Sequence, residues 1–190
     1  MSPLQKVAMG LVIVFLRAEL GGIDALPDPV GWALVLAGTW SMRAVLVDVD
    51  VLLWVGSVAA VISVGLFVPA LDDRLSPSGQ WAASLPQTVF CLVLCGSLAT
   101  LARPAGGAPA VRARRLELLR WVFLVVGVGP VLVYGGGVVA LAPPLAALAV
   151  LANVALVYYT FAVSGLSRRD RRHRPHRPRR SPGETRPEQG

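Results

Sequence analysis

Residues 121–166 read WVFLVVGVGPVLVYGGGVVALAPPLAALAVLANVALVYYTFAVSGL, and no charged side chain occurs among them. A helix needs about 20 mostly apolar residues to cross the hydrocarbon core of a bilayer. The stretch is long enough for two crossings, and Pro143-Pro144 divides it. It therefore reads as spans over 118–142 and 144–166 joined by an uncharged turn. Working toward the N-terminus, four further apolar stretches have spanning length: 4–22, 29–47, 51–71 and 85–102.

Composition agrees. Of 190 residues, 55% are apolar and 15% charged, against about 25% charged in an ordinary soluble domain. Mean hydropathy is +0.63, and a chain of this length has too little interior to hide that much apolar surface from water. The expected fold is an all-α, polytopic membrane bundle of six transmembrane helices. One transmembrane domain over 1–167 precedes a short tail over 168–190. Lys6 and the apolar run after it resemble a leader, but Arg17 and Glu19 follow without a small-x-small cleavage site, so the first segment is expected to stay as a span.

Net charge is +7, unevenly spread: residues 1–167 carry +1 and residues 168–190 carry +6. Bases also alternate between connections. Lys6, Arg43, the group Arg103, Arg112, Arg114, Arg115 and Arg120, and the tail's nine arginines fall on one side of the expected spans. The other side holds Asp24, Asp28, Asp72 and Asp73, with Arg74. The positive-inside rule then makes both termini cytoplasmic. The Ala110–Trp121 segment is expected to be either a short surface helix or a cytoplasmic extension of the fifth span. The tail, rich in Arg and Pro with almost nothing apolar, is expected to be disordered. Its expected partner is anionic lipid. Nucleic acid is disfavoured because no aromatic residues interleave with the arginines.

No pattern carries a reaction. The spans contain no histidine, no paired nucleophile and base, and no phosphate loop. No catalytic, cofactor-binding or metal-ligating residue is expected. Cys91 and Cys95 lie four apart on one helix face, too few for a closed zinc site and read as packing residues. The function classes left are a non-enzymatic membrane interaction or accessory protein, working through a membrane partner or a second copy, and a small transporter or channel subunit.

Polar groups narrow the search. Arg17 and Glu19 near the end of the first span, with Asp24 and Asp28 in the following loop, form a candidate functional cluster. Asp28 before Pro29 also suits a helix N-cap, a purely structural role. Asn153 lies in the middle of the sixth span, where packing against a neighbour is the commoner use of an amide. Pro130 interrupts the fifth span and is expected to kink it. The segments beginning at Gly21 and Gly136 align at an offset of 115, which biased composition explains as well as duplication does.

The loop pattern D-x-L-P-D-x-x-G-W at Asp24, Leu26, Pro27, Asp28, Gly31 and Trp32 resembles the signature of a family of small multi-pass bacterial membrane proteins. The resemblance covers about the first forty residues. It implies residence in the bacterial cytoplasmic membrane and marks this loop, without implying an activity. The excess of arginine over lysine, with abundant Ala, Gly and Val, also fits a bacterial origin.

Overall fold

The computed structural model describes residues 2–15, 19–20, 23–24, 28–66, 75–103 and 107–172; for residues 19, 20, 23, 24, 28, 108 and 165–172 only the backbone is described. Six α-helices occur among the described residues: α1 (Pro3–Phe15), α2 (Asp28–Trp40), α3 (Val49–Leu66), α4 (Pro77–Ala102), α5 (Gly107–Tyr134) and α6 (Ala142–Arg172). A two-stranded antiparallel ribbon, β1 (Glu19–Leu20) with β2 (Ile23–Asp24), lies between α1 and α2. A 3-10 turn, Val139–Leu141, precedes α6.

Four of the helices are long and apolar enough to cross a membrane: α3, α4, α5 and α6. The first two are not. Each has 13 residues, or about 20 Å at 1.5 Å per residue, against a hydrocarbon core of about 30 Å. The spans expected over 4–22 and 29–47 are thus corrected to shorter helices, for identifiable reasons. Glu19 and Asp24 pair across the ribbon, so the chain is already extended there. At the end of α2, the Thr39 and Ser41 hydroxyls donate back to the Val35 and Ala37 carbonyls, at 2.9 and 2.7 Å. Backbone bonding then switches to i→i−3 at Met42, Arg43 and Val45, which tightens and ends the helix. Met42 and Leu46 turn inward and pin this connection to the core.

Other boundaries move as well. The third span, expected over 51–71, is helical over Val49–Leu66, and residues 67–74 lie outside the described set. The fourth starts eight residues before position 85. Ser76 caps it, accepting from the Gly79 amide at 3.2 Å, and Pro77 opens the first turn, so Pro86 lies inside the helix. The fifth is one continuous helix from Gly107, an extension rather than a separate surface helix, and it ends at Tyr134 instead of 142. The Gly135-Gly136-Gly137 run stops it: Gly137 has φ +69°, a left-handed conformation that suits glycine. The sixth begins at Ala142 and its backbone stays helical to Arg172, past the expected boundary at 167; residues 173–190 lie outside the described set. The two segments related by the 115-residue offset differ locally. Ile23–Asp24 is a strand, whereas Val139–Leu141 is a 3-10 turn.

The helices close a ring in chain order, each packing on the next and α6 returning to α1. Neighbours run antiparallel: Gly10 meets Gly31 while Gly38 meets Val7, and Arg103 meets Glu117 while Trp81 meets Tyr134. The start of α1 and the end of α6 therefore lie at one end of the bundle. The ring is filled. Trp32 of α2 and Phe90 of α4 meet edge-to-face inside it, 5.3 Å between centroids. Gly56 of α3 makes room for that contact, because a Cβ there would lie 3.0 Å from Leu36 and 3.3 Å from the Phe90 ring. Leu11, Leu52, Leu94, Leu98, Leu116 and Leu156 complete the core. Its buried hydroxyls are satisfied, as at Thr39 and Thr160, which bond to carbonyls of their own helices. Cys91 and Cys95 are buried, free thiols packed in this core. Outward, α3, α5 and α6 expose Trp54, Val61, Val128, Leu132, Leu151 and Val154, the kind of surface a bilayer covers.

Candidate functional site

The start of α4 presents a polar row. Ser76, Gln80, Ser84 and Thr88 recur every four residues, hence on one helix face. The Ser84 hydroxyl donates to the Trp81 carbonyl at 2.8 Å and the Thr88 hydroxyl to the Ser84 carbonyl at 3.1 Å. These bonds satisfy the hydrogens and leave the oxygens' lone pairs free. Trp81, on the same side, donates its indole N–H across to the Gly127 carbonyl of α5 at 3.2 Å. Its ring meets Tyr134 at 6.4 Å.

Opposite that row, α5 contributes Val126, Pro130, Val133 and Tyr134, and α6 contributes Ala142, Leu145, Ala146 and Ala149. The three helices line an open cleft of about 310 Å³. Pro130 has no amide hydrogen, so the Val126 carbonyl beside the cleft lacks its helical donor. Gly129 lets α6 approach, since a Cβ there would come within 2.8 Å of Leu145. Alanines along α6 leave the remaining space open. One wall is polar, one is apolar, and no charged side chain lines the cleft.

The residues expected from sequence are scattered. Pro130 lines the cleft and lies inside α5 without ending it. Asn153 does not line the cleft; it is half-buried one turn further along α6, with no side-chain hydrogen bond to another described residue. Glu19 and Asp24 face one another in register across the ribbon at the backbone level. Asp28 is the first residue of α2. The side chains of these three acids, and Arg17 entirely, lie outside the described residues, so the expected Arg17–Asp24 pairing does too. Gln80, Ser84, Thr88 and Tyr134 were not expected, and Trp81 was expected only as an interface anchor in a loop. The four-residue spacing of Ser76, Gln80, Ser84 and Thr88 was legible, but its first three members fell in a stretch assigned to that loop and Thr88 just inside the fourth span.

The other end of the bundle is charged. Every charged residue whose side chain is described lies there: Lys6, Arg43, Arg103, Arg112, Arg114, Arg115 and Arg120 against Asp48, Asp50 and Glu117. Glu117 bridges α4 and α5, 3.5 Å from Arg103 and 3.6 Å from Arg120. Asp48 accepts from the buried Ser97 hydroxyl at 3.5 Å, tying the α2–α3 connection to α4. Arg43 stacks on Trp40 at 4.9 Å. Arg114 and Arg115 are exposed and make no ion pair among the described residues. No group of three metal-ligating side chains occurs among the described residues. No protein-family model matches the chain, and no curated protein and no solved structure matches it.

Proposed function

We propose that the protein is a multi-pass component of the bacterial cytoplasmic membrane, with six crossings and both termini cytoplasmic. In this reading it is a non-enzymatic accessory or interaction protein. The observation that carries the orientation is the uneven placement of bases. At one end Lys6, Arg43, Arg103, Arg112, Arg114, Arg115 and Arg120 outnumber Asp48, Asp50 and Glu117, whereas the backbone carries Glu19, Asp24 and Asp28 to the opposite end; the positive-inside rule assigns the base-rich end to the cytoplasmic face. The short α1 and α2 cross as a pair at a locally thinned bilayer, which costs a fraction of a kcal/mol for each ångström of mismatch. The unpaired arginines of α5, with the arginine-rich tail, form a surface for anionic lipid.

The accessory role is favoured by the filled ring. Trp32 and Phe90 occupy the interior, and the buried Thr39 and Thr160 hydroxyls bond within their own helices, so that among the described residues side chains fill the axis. The second reading, a small transporter or channel subunit, draws on the cleft beside Pro130. A transport site needs water access to the membrane midplane. The cleft ends at Thr88, Val126 and Ala149, short of Asn153.

Single cysteines introduced at Ser78 and Arg114, both exposed, test the orientation, because the native cysteines are buried. In intact cells a membrane-impermeant maleimide should label Ser78→Cys and spare Arg114→Cys until the membrane is permeabilised. The reverse pattern overturns the arrangement. Reconstituted protein that passes small ions or solutes would replace the accessory reading with the transport one.

A further inference from the structure

We infer that the cleft between α4, α5 and α6 binds the head of an uncharged lipid alcohol. The inference rests on the protein's being embedded in a membrane and not on its orientation or accessory role.

Three features select this ligand class. The first is charge. Nothing ionised lines the cleft, and a phosphate or ammonium head entering it would lose water without gaining a counter-charge. With no counter-charge in the cleft, anionic and zwitterionic lipids are poor occupants.

The second is the balance of hydrogen-bonding groups. The Ser84 and Thr88 hydrogens are already given to backbone carbonyls, so these oxygens meet a ligand as acceptors. The Val126 carbonyl, deprived of a donor by Pro130, is a further acceptor. The cleft lacks hydrogen to match, apart from the Gln80 amide and the Tyr134 hydroxyl. A ligand that donates is required, and a hydroxyl group is the neutral way to do so.

The third is shape. At about 310 Å³ the cleft is at the small end of ligand sites, enough for a head and its first few carbons. It extends from Pro77 to Thr88 along α4, about 16 Å. Trp81 and Tyr134 stand at the helix-end side, where amphipathic rings favour the interface. The apolar wall of Leu145, Ala146 and Ala149 continues along α6, giving a hydrocarbon chain a path out. Trp81 also ties α4 to α5 beside the cleft through the Gly127 carbonyl.

The test uses full-length protein in phosphatidylcholine vesicles with two photoactivatable lipids of identical chains, each carrying its diazirine near the glycerol. One is a diacylglycerol and the other a phosphatidylglycerol, and labelled positions are mapped by mass spectrometry. The diacylglycerol should label the segments 80–88 and 142–149, and excess unlabelled diacylglycerol should suppress this. The phosphatidylglycerol should label the outward surfaces near Trp54 and Trp121 but not the cleft. Ala146→Phe, which fills the cleft from an exposed position, should cut cleft labelling by about tenfold and spare outward labelling. Thr88→Val, which keeps the shape and removes one acceptor, should cut it by about threefold. Equal cleft labelling by both lipids, or labelling unchanged in Ala146→Phe, overturns the proposal and leaves only ordinary annular lipid. If neither lipid labels Trp54 or Trp121, membrane embedding itself has failed, which is a separate result.

Discussion

The α1–α2 and α5–α6 hairpins both depend on glycine, and for opposite purposes. In α1–α2, glycine removes side chains so that two backbones touch. A Cβ on Gly10 would lie 2.5 Å from the Gly31 carbonyl oxygen, and one on Gly38 would lie 2.8 Å from the Pro3 carbonyl oxygen. In α5–α6, Gly127 meets only a Thr88 methyl at 3.3 Å, and Gly129 meets the flexible end of Leu145. Gly135 and Gly136 meet carbonyls of their own helix, and Gly137 meets nothing. These glycines end a helix and admit neighbours loosely. The helices of the first hairpin touch backbone to backbone, and the second hairpin is the wall of a cleft. The lesson concerns lipid as solvent. Lipid gives no hydrophobic push between helices, so close backbone contact must supply association. Where contact is loosened, space for a ligand appears.

Burial is uneven around the ring as well. In α6 only 11% of the most apolar window is buried, against 44% in α4. Removing core volume beside the tight hairpin should therefore have the largest effect. Trp32→Ala empties the centre of the ring and leaves Phe90 without its edge-to-face partner, and should cost about 3–5 kcal/mol. Reversible unfolding in mixed micelles, followed by tryptophan emission and near-ultraviolet circular dichroism, measures it; a loss under about 1 kcal/mol would mean the ring is not packed as described.

Next comes Gly10→Ala. Its new methyl meets backbone on α2, which cannot rotate away, so a loss of about 1–3 kcal/mol is expected. Trp81→Phe on the cleft side removes one interhelical hydrogen bond and should cost about 1 kcal/mol. The smallest effect belongs to Gly127→Ala, expected within about 0.5 kcal/mol of the parent. If Gly10→Ala and Gly127→Ala proved equally mild or equally severe in the same unfolding assay, the contrast between the two hairpins would collapse.

Much of the fold was legible in the residues. The uncharged run through 121–166 and the low charge content required helices in an apolar solvent, and six helices occur among the described residues, four of them long and apolar enough to cross a membrane. Boundaries were less legible where local chemistry outweighed hydropathy. Ser76-Pro77 starts α4 well before the apolar residues begin, because capping needs a hydroxyl and a fixed φ rather than hydrophobicity. Thr39 and Ser41 close α2 early although apolar residues continue to Val47. The cleft was the least legible feature. Pro130 drew notice as a break, yet its significance depends on what α4 places opposite, and no local pattern records that.

What the sequence determined by itself is the class of the protein and the uneven placement of its charge. Both depend on solvation, which acts residue by residue: apolar runs exclude water, and arginines stay out of hydrocarbon. What only the tertiary structure decided is that the helices close a ring, that Gly56 lets Trp32 and Phe90 meet inside it, and that a hydroxyl row on α4 faces a proline on α5 and alanines on α6. These depend on the rotation and approach of separate helices. Those are set by close-packed contact between residues far apart in the chain, and hydropathy has no term for it.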